Sequence, residues 1–174
     1  MTAGRKSGYN KTNWNTPLKY VKAVLDVFEE IDLDPCSNNE SIVPSLHKFC
    51  LPVDGLKENW NYPRVYVNPP FGRGLNKTTI YDWVRKCYEQ ANKDTNIIAL
   101  IPVATNTKHW KEFVFRSNVI CFLGDTRLKF RVNGNENNKG ASMACAMVYW
   151  GNDSDKFKQV FNKYGTCVSI LSQL

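Results

Sequence analysis

Asn68-Pro69-Pro70-Phe71 is the segment of this 174-residue chain whose residue types and order suit a chemical task. The Asn68 side chain supplies a carbonyl acceptor. Two successive prolines fix φ and lack N–H groups, so the Pro69 carbonyl meets no competing local donor. Two such acceptors can grip one NH2 group. The lone pair of an adenine or cytosine amine is delocalised into its ring, and acceptors on both hydrogens draw the nitrogen towards tetrahedral geometry, where that pair can attack. Phe71 adds a flat apolar face, worth about 1–3 kcal/mol to a stacked base on the scale of single-strand binders. Duplex DNA hides the amine, so base flipping is implied. The same four residues also suit an ordinary turn after a strand, because Asn starts turns and the residue before Pro avoids the helical region.

The elements that must hold this turn are legible as an alternation. Arg64 to Asn68 reads as a strand bounded by Pro63 and Pro69, and Ile31 to Asp34 as a shorter one. Asn96 to Val103 and Asn118 to Leu123 are continuous apolar runs, the pattern of strands covered on both faces. Thr16 at the N-cap and Pro17 at the first helical position open a helix to about Glu30, with Leu18, Val21, Val24, Leu25 and Phe28 at helical spacing. Further helices are expected over Thr78 to Ala91, Thr107 to Arg116 and Asp153 to Tyr164. Arg127 to Val132 and Ser142 to Trp150 read as strands around a polar loop at 133–140, and Thr166 to Leu171 as the last strand. The whole predicts a single α/β domain over 14–174 with a mostly parallel sheet, preceded by a flexible basic tail at 1–13. In open sheets of this kind ligands bind beyond the C-terminal strand ends, which puts Asp34 and Asn68 on one rim.

The motifs follow one another in a recognisable order: Trp14-x-Thr16-Pro17, Asp32-Leu33-Asp34-Pro35-Cys36-Ser37-Asn38, Asp54-Gly55-Leu56 with Trp60, then Asn68-Pro69-Pro70-Phe71-Gly72-Arg73. Leu100-Ile101-Pro102, Trp110 and Arg127-Leu128-Lys129-Phe130 continue it. From Trp14 to Trp150 the chain resembles the phage-type DNA N6-adenine methyltransferase family, the Dam-like enzymes. That resemblance implies a Rossmann-like class I methyltransferase fold with an antiparallel strand near the C-terminus, and methyl transfer from S-adenosylmethionine to adenine N6 in DNA. It makes Asn68, Pro69, Pro70 and Phe71 the amine site. It sets Thr16 and Pro17 over the methionine part of the cofactor, Asp34 and Cys36 beside it, and Asp54 on the adenine amine. Two departures stand out. The glycine-rich loop usual after the first strand is replaced by Pro35-Cys36-Ser37-Asn38, leaving the ribose partner open among Asn38, Asn39 and Glu40. Asp125-Thr126 occupies the place of an expected Gly-Arg. The acceptor pair also suits cytosine N4, an RNA base or a protein glutamine, and a non-catalytic nucleic-acid binder on the same scaffold is a further alternative.

Charge is distributed by region. Residues 1–22 carry five basic and no acidic side chains, 24–60 carry eight acids against Lys48 and Lys57, and 108–139 carry seven basic residues against three acids, within a net charge of +7. An acidic half suits a cationic sulfonium and a basic half suits phosphate. Arg73, Arg127, Lys129 and Arg131 are the expected DNA contacts. Six cysteines without a C-x-x-C pair and only two histidines support neither a metal site nor a disulfide framework, so buried free thiols in a reducing cytoplasm are expected, and the resemblance implies that of a bacterium or a phage-infected host. No run approaches the ~20 apolar residues of a membrane span.

Overall fold

The computed structural model describes residues 14–74, 77–132, 135–136, 141 and 143–171. The expected tail at 1–13 and most of the 133–140 loop lie outside the described residues. Seven strands form one mixed sheet in the order β2-β1-β3-β4-β8-β5-β9. These are β1 Ile31–Asp34, β2 Ser45–Lys48, β3 Arg64–Val67, β4 Asn96–Pro102, β5 Val119–Leu123, β8 Cys145–Trp150 and β9 Gly165–Ser169; β6 Arg131–Val132 and β7 Asn135–Glu136 make a separate two-stranded ribbon. The first four strands of the sheet are parallel. β8 runs antiparallel between β4 and β5, and β9 antiparallel along β5. Two reversed strands therefore replace the one expected near the C-terminus.

Alternating strand residues explain the two layers of helix. Tyr66, Ile98 and Leu100 face one side, where α1 (Leu18–Phe28) and α4 (Ser154–Phe161) pack through Val21, Val24, Phe157 and Phe161. Val65, Val67, Ile97 and Ala99 face the other, under α2 (Ile80–Gln90) and α3 (Lys108–Glu112), which contribute Trp83, Val84 and Trp110. With both faces covered, the central strands need apolar residues at every position.

Several boundaries differ from expectation for identifiable reasons. α1 starts one residue later, with Pro17 at its N-cap, because the Thr16 hydroxyl bonds the Tyr66 phenol at 2.7 Å instead of capping the helix. The helix expected over Thr107 to Arg116 breaks into α3 and a 3-10 turn at Val114–Arg116. Of the strand expected at Arg127 to Val132 only the last two residues pair, yet the alternation survives: Leu128 and Phe130 are buried while Arg127 and Lys129 are exposed. α2 carries a reciprocal capping box between Thr79 and Asp82.

β1 and β3 are locked together at their starts. Arg64 Nε and its backbone N–H both donate to Asp32 Oδ2, at 2.7 and 3.0 Å, and its guanidinium reaches Glu30 at 2.7 Å. The hydrogen bond from Arg64 holds the Asp32 carboxyl below its ordinary range despite its burial. This clamp sets the register that brings the opposite ends of the two strands level.

Candidate functional site

The chain leaves β1 for the edge strand β2 and then crosses back to β3 on the other side of β1, so strand order reverses between β1 and β3. The crevice beyond such a reversal is where open α/β sheets bind ligands. Asp34 ends β1 and Asn68 follows β3, and both line the cavity at this point together with Trp14, Thr16, Cys36 and Asn38.

Asp34 is almost wholly buried. Burial pushes its carboxyl up to about 6, against the Cys36 backbone N–H that donates to Oδ1 at 3.2 Å, the Lys48 charge, and the Ser41 hydroxyl 3.5 Å from Oδ2. No ion pair involves Asp34 among the described residues. Burial, then the nearby Asp34 charge, keep the Cys36 thiol protonated well above its usual range, offset in part by the Asn68 backbone N–H beside its sulfur. The turns after β1 and β3 are thus joined beneath the cavity.

A strap formed by Trp14, Asn15 and Thr16 crosses above it. Asn15 exchanges two backbone hydrogen bonds with Arg131, at 2.9 and 2.8 Å, and its side-chain amide pairs reciprocally with that of Asn38. The Trp14 carbonyl accepts a hydrogen bond from Asn68 Nδ2 at 2.8 Å. That bond orients the Asn68 amide. Its Oδ1 and the Pro69 carbonyl have no donor among the described residues, so both acceptors of the turn are available. Phe71, half-buried, meets Phe130 edge-on at 5.6 Å, and Phe130 in turn contacts the Trp14 ring at 5.2 Å. The cavity under the strap is about 20 Å³, room for one water.

The structure therefore gathers Thr16, Asp34, Cys36 and Asn68, with Pro69 buried behind and Phe71 at the side; Pro70 is exposed, and Pro17 stands back at the head of α1. Asp54 lines a different hollow, an open groove of about 430 Å³ between its own loop and α2. The two hollows lie on either side of the Pro35 turn, against which Gly55 fits so closely that a Cβ there would stand 1.8 Å from the Pro35 carbonyl oxygen. Arg73, Arg127 and Lys129 are exposed and Arg131 half-buried. Of the ribose candidates, Asn38 lines the cavity while Asn39 and Glu40 face solvent. Asp125, in place of the expected glycine, accepts from Lys19 Nζ at 2.7 Å and from the Tyr20 hydroxyl, tying that turn to α1. Tyr66, Phe130 and Asn15 were not singled out as site residues, and only the buried–exposed alternation of their segments hinted at the first two.

A model of the DNA N-6-adenine-methyltransferase (Dam) family matches residues 5–168. The chain belongs to that family. A search of curated proteins found no match. For a Dam-family protein the match runs through every element from the strap to β9, so the strap, the buried carboxylate and the Asn68 turn all fall within it. Among the described residues no helix is long and apolar enough to cross a membrane, and no group of three or more His, Cys, Asp or Glu is placed to hold a metal.

Proposed function

We propose that the protein transfers a methyl group from S-adenosylmethionine to the N6 amine of adenine in DNA, with the target base flipped out against Phe71. The observation that carries this reading is the Asn68 amide, tied through Nδ2 to the Trp14 carbonyl so that Oδ1 and the Pro69 carbonyl stand, among the described residues, as two unpartnered acceptors at the strand reversal. The sheet order, with a reversed strand between β4 and β5, supports a Rossmann-like class I methyltransferase arrangement.

The donor set suits the cofactor. A buried carboxylate at Asp34 without an ion-pair partner complements a cationic ligand, and Thr16, Asn38 and Cys36 would line its methionyl end. Asp54, across the Pro35 turn, would take the adenine amine. Small-molecule pockets run from roughly 300 Å³, so a ligand of that size requires the Trp14–Thr16 strap to stand further out than it does here. When bound, S-adenosylmethionine supplies an electrophilic methyl group on a sulfonium.

The chain's own residues do the rest. Asn68 Oδ1 and the Pro69 carbonyl accept the two amine hydrogens, which shifts the nitrogen lone pair out of ring conjugation and towards the methyl group. Phe71 holds the base plane by stacking. Asp34 would hold positive charge in the cavity beneath the strap. The surplus proton leaves to water after methylation, so no general base is needed. Arg73, Arg127, Lys129 and Arg131 would contact phosphates, fixing the duplex around the flipped nucleotide.

Nucleoside mass spectrometry of DNA from expressing cells tests this directly. N6-methyladenine is expected, reduced by about 10²–10³-fold in Asn68→Ala, the scale on which loss of one preorganised hydrogen-bonding group acts in a transition state. N4-methylcytosine alone would show that the base is wrong. Absence of any methylated base, with no calorimetric heat on adding S-adenosylmethionine, would leave only a nucleic-acid-binding scaffold.

A further inference from the structure

Antiparallel pairing sets Cys121 of β5 directly opposite Cys167 of β9. Their place in the ladder decides what the two sulfurs can do. The Ile170 N–H donates to the Asn118 carbonyl and the Gly124 N–H to the Tyr164 carbonyl. Hydrogen-bonded pairs alternate with non-hydrogen-bonded ones, so Cys121 and Cys167 occupy a non-hydrogen-bonded position. There the Cα atoms stand about 4.5 Å apart and the side chains share a face, within the roughly 4.4–6.8 Å that a disulfide spans. Both thiols are free.

Their surroundings differ. Cys121 is fully buried beneath α4, its sulfur 3.6 Å from the Phe161 carbonyl oxygen, whereas Cys167 lies half-buried on the outermost strand of the sheet. The neighbouring Cys121 thiol, helped by the Lys158 charge, holds the Cys167 thiol below its ordinary value, while the same neighbour and burial push that of Cys121 up. One sulfur is therefore reachable and activated, and the other is held against it as a resolving thiol.

We propose that Cys121 and Cys167 are a redox-modification site, closed into a cross-strand disulfide by a low-molecular-weight disulfide such as oxidised glutathione. The Cys167 thiolate attacks one glutathione sulfur, forming a mixed disulfide and releasing the first glutathione thiolate. Cys121 then attacks the Cys167 sulfur, and its proton passes to the second glutathione thiolate as that leaves. Two protein thiols are oxidised and one glutathione disulfide is reduced to two thiols. The new bond fastens β9 to β5 and touches no residue of the proposed methyl-transfer site, so it stands or falls separately from that function.

The test treats the whole folded chain with oxidised glutathione, quenches under denaturing conditions with an alkylating reagent, and maps the peptides. Two of the six thiols should be lost, to a single cross-link joining Cys121 and Cys167 that dithiothreitol reverses. Cys167→Ser should abolish it and Cys50→Ser should leave it intact. Hydrogen exchange of the Gly165–Ser169 amides should slow several-fold in the oxidised protein. A stable glutathione adduct on Cys167, survival of all six thiols, or a cross-link between other cysteines would overturn the assignment.

Discussion

The two hollows on either side of the Pro35 turn make opposite offers. The groove beside α2 is about twenty times the larger, at about 430 against about 20 Å³, yet its lining cations are mostly engaged. Lys86 donates to the Leu56 and Glu58 carbonyls and lies over the Trp60 ring, and Arg85 pairs with Asp82 and Glu89. Under the strap the reverse holds: little space, but, among the described residues, a buried carboxylate without an ion-pair partner and two carbonyl acceptors without donors. Volume measures where a ligand could rest, whereas unmet polar groups measure what the protein gains when one arrives. By that measure the small cavity is the better candidate.

The sharpest way to break that contrast is Asp34→Asn. A hydrogen bond to a charged partner is worth about 1.5–3 kcal/mol, so affinity for S-adenosylmethionine should fall about 10- to 150-fold by calorimetry. The same change should raise stability at pH 7, on the order of 1–3 kcal/mol, because it removes a charge whose burial is unfavourable. Weaker binding in a more stable protein separates a ligand-holding residue from a structural one. Loss of both together would make Asp34 part of the scaffold.

A second expectation concerns pH. The Asp34 carboxyl is raised from 3.8 to about 6 on folding. Between these values the folded protein keeps a proton that the unfolded chain has released, so this group's contribution to stability falls as pH rises through that window and is lowest above it. A cationic ligand favours the ionised form. Affinity for the donor should accordingly rise about tenfold from pH 5 to pH 7, with the profile flattened in Asp34→Asn.

How much of this was legible in the chain depends on which force positions each part. Val65 and Val67 face away from Tyr66 because a strand alternates, and that pattern is written in residue types. β2 was not read, since Leu46, His47 and Lys48 are exposed on an edge and its pairing with β1 is made by backbone groups that every residue carries. That Asp34 and Asn68 share one rim was legible because one ends β1 and the other directly follows β3. Of the strap only Thr16 was expected at the site: Trp14 acts through its carbonyl, and Asn15 through an amide pair with Asn38, contacts that only the folded chain brings about. The Phe71–Phe130 contact likewise needed the path of the chain after β5.

The exposed cations around the site are expected to act on DNA without altering the cavity. Arg127→Ala and Lys129→Ala should each lower the slope of log affinity against log salt by about one. Filter binding across a salt series reads that slope, and donor affinity should not change in either variant. A slope that does not move would place these two residues off the DNA path.

The smallest expected effect belongs to the large groove. Asp54 Oδ1 accepts the Leu56 N–H at 3.2 Å, and Oδ2 has no hydrogen-bond donor among the described residues. One acceptor is therefore left for an amine such as that of the cofactor's adenine. In Asp54→Asn the remaining oxygen can keep the Leu56 bond while an NH2 group replaces the free acceptor, so a single neutral-donor hydrogen bond is lost. At about 1 kcal/mol donor affinity should weaken roughly fivefold, well short of the Asp34→Asn effect. Arg85→Ala, on the same groove but already paired within α2, should leave affinity unchanged. Equal and negligible effects from both would reduce the groove to ordinary surface and leave donor recognition entirely to the cavity under the strap.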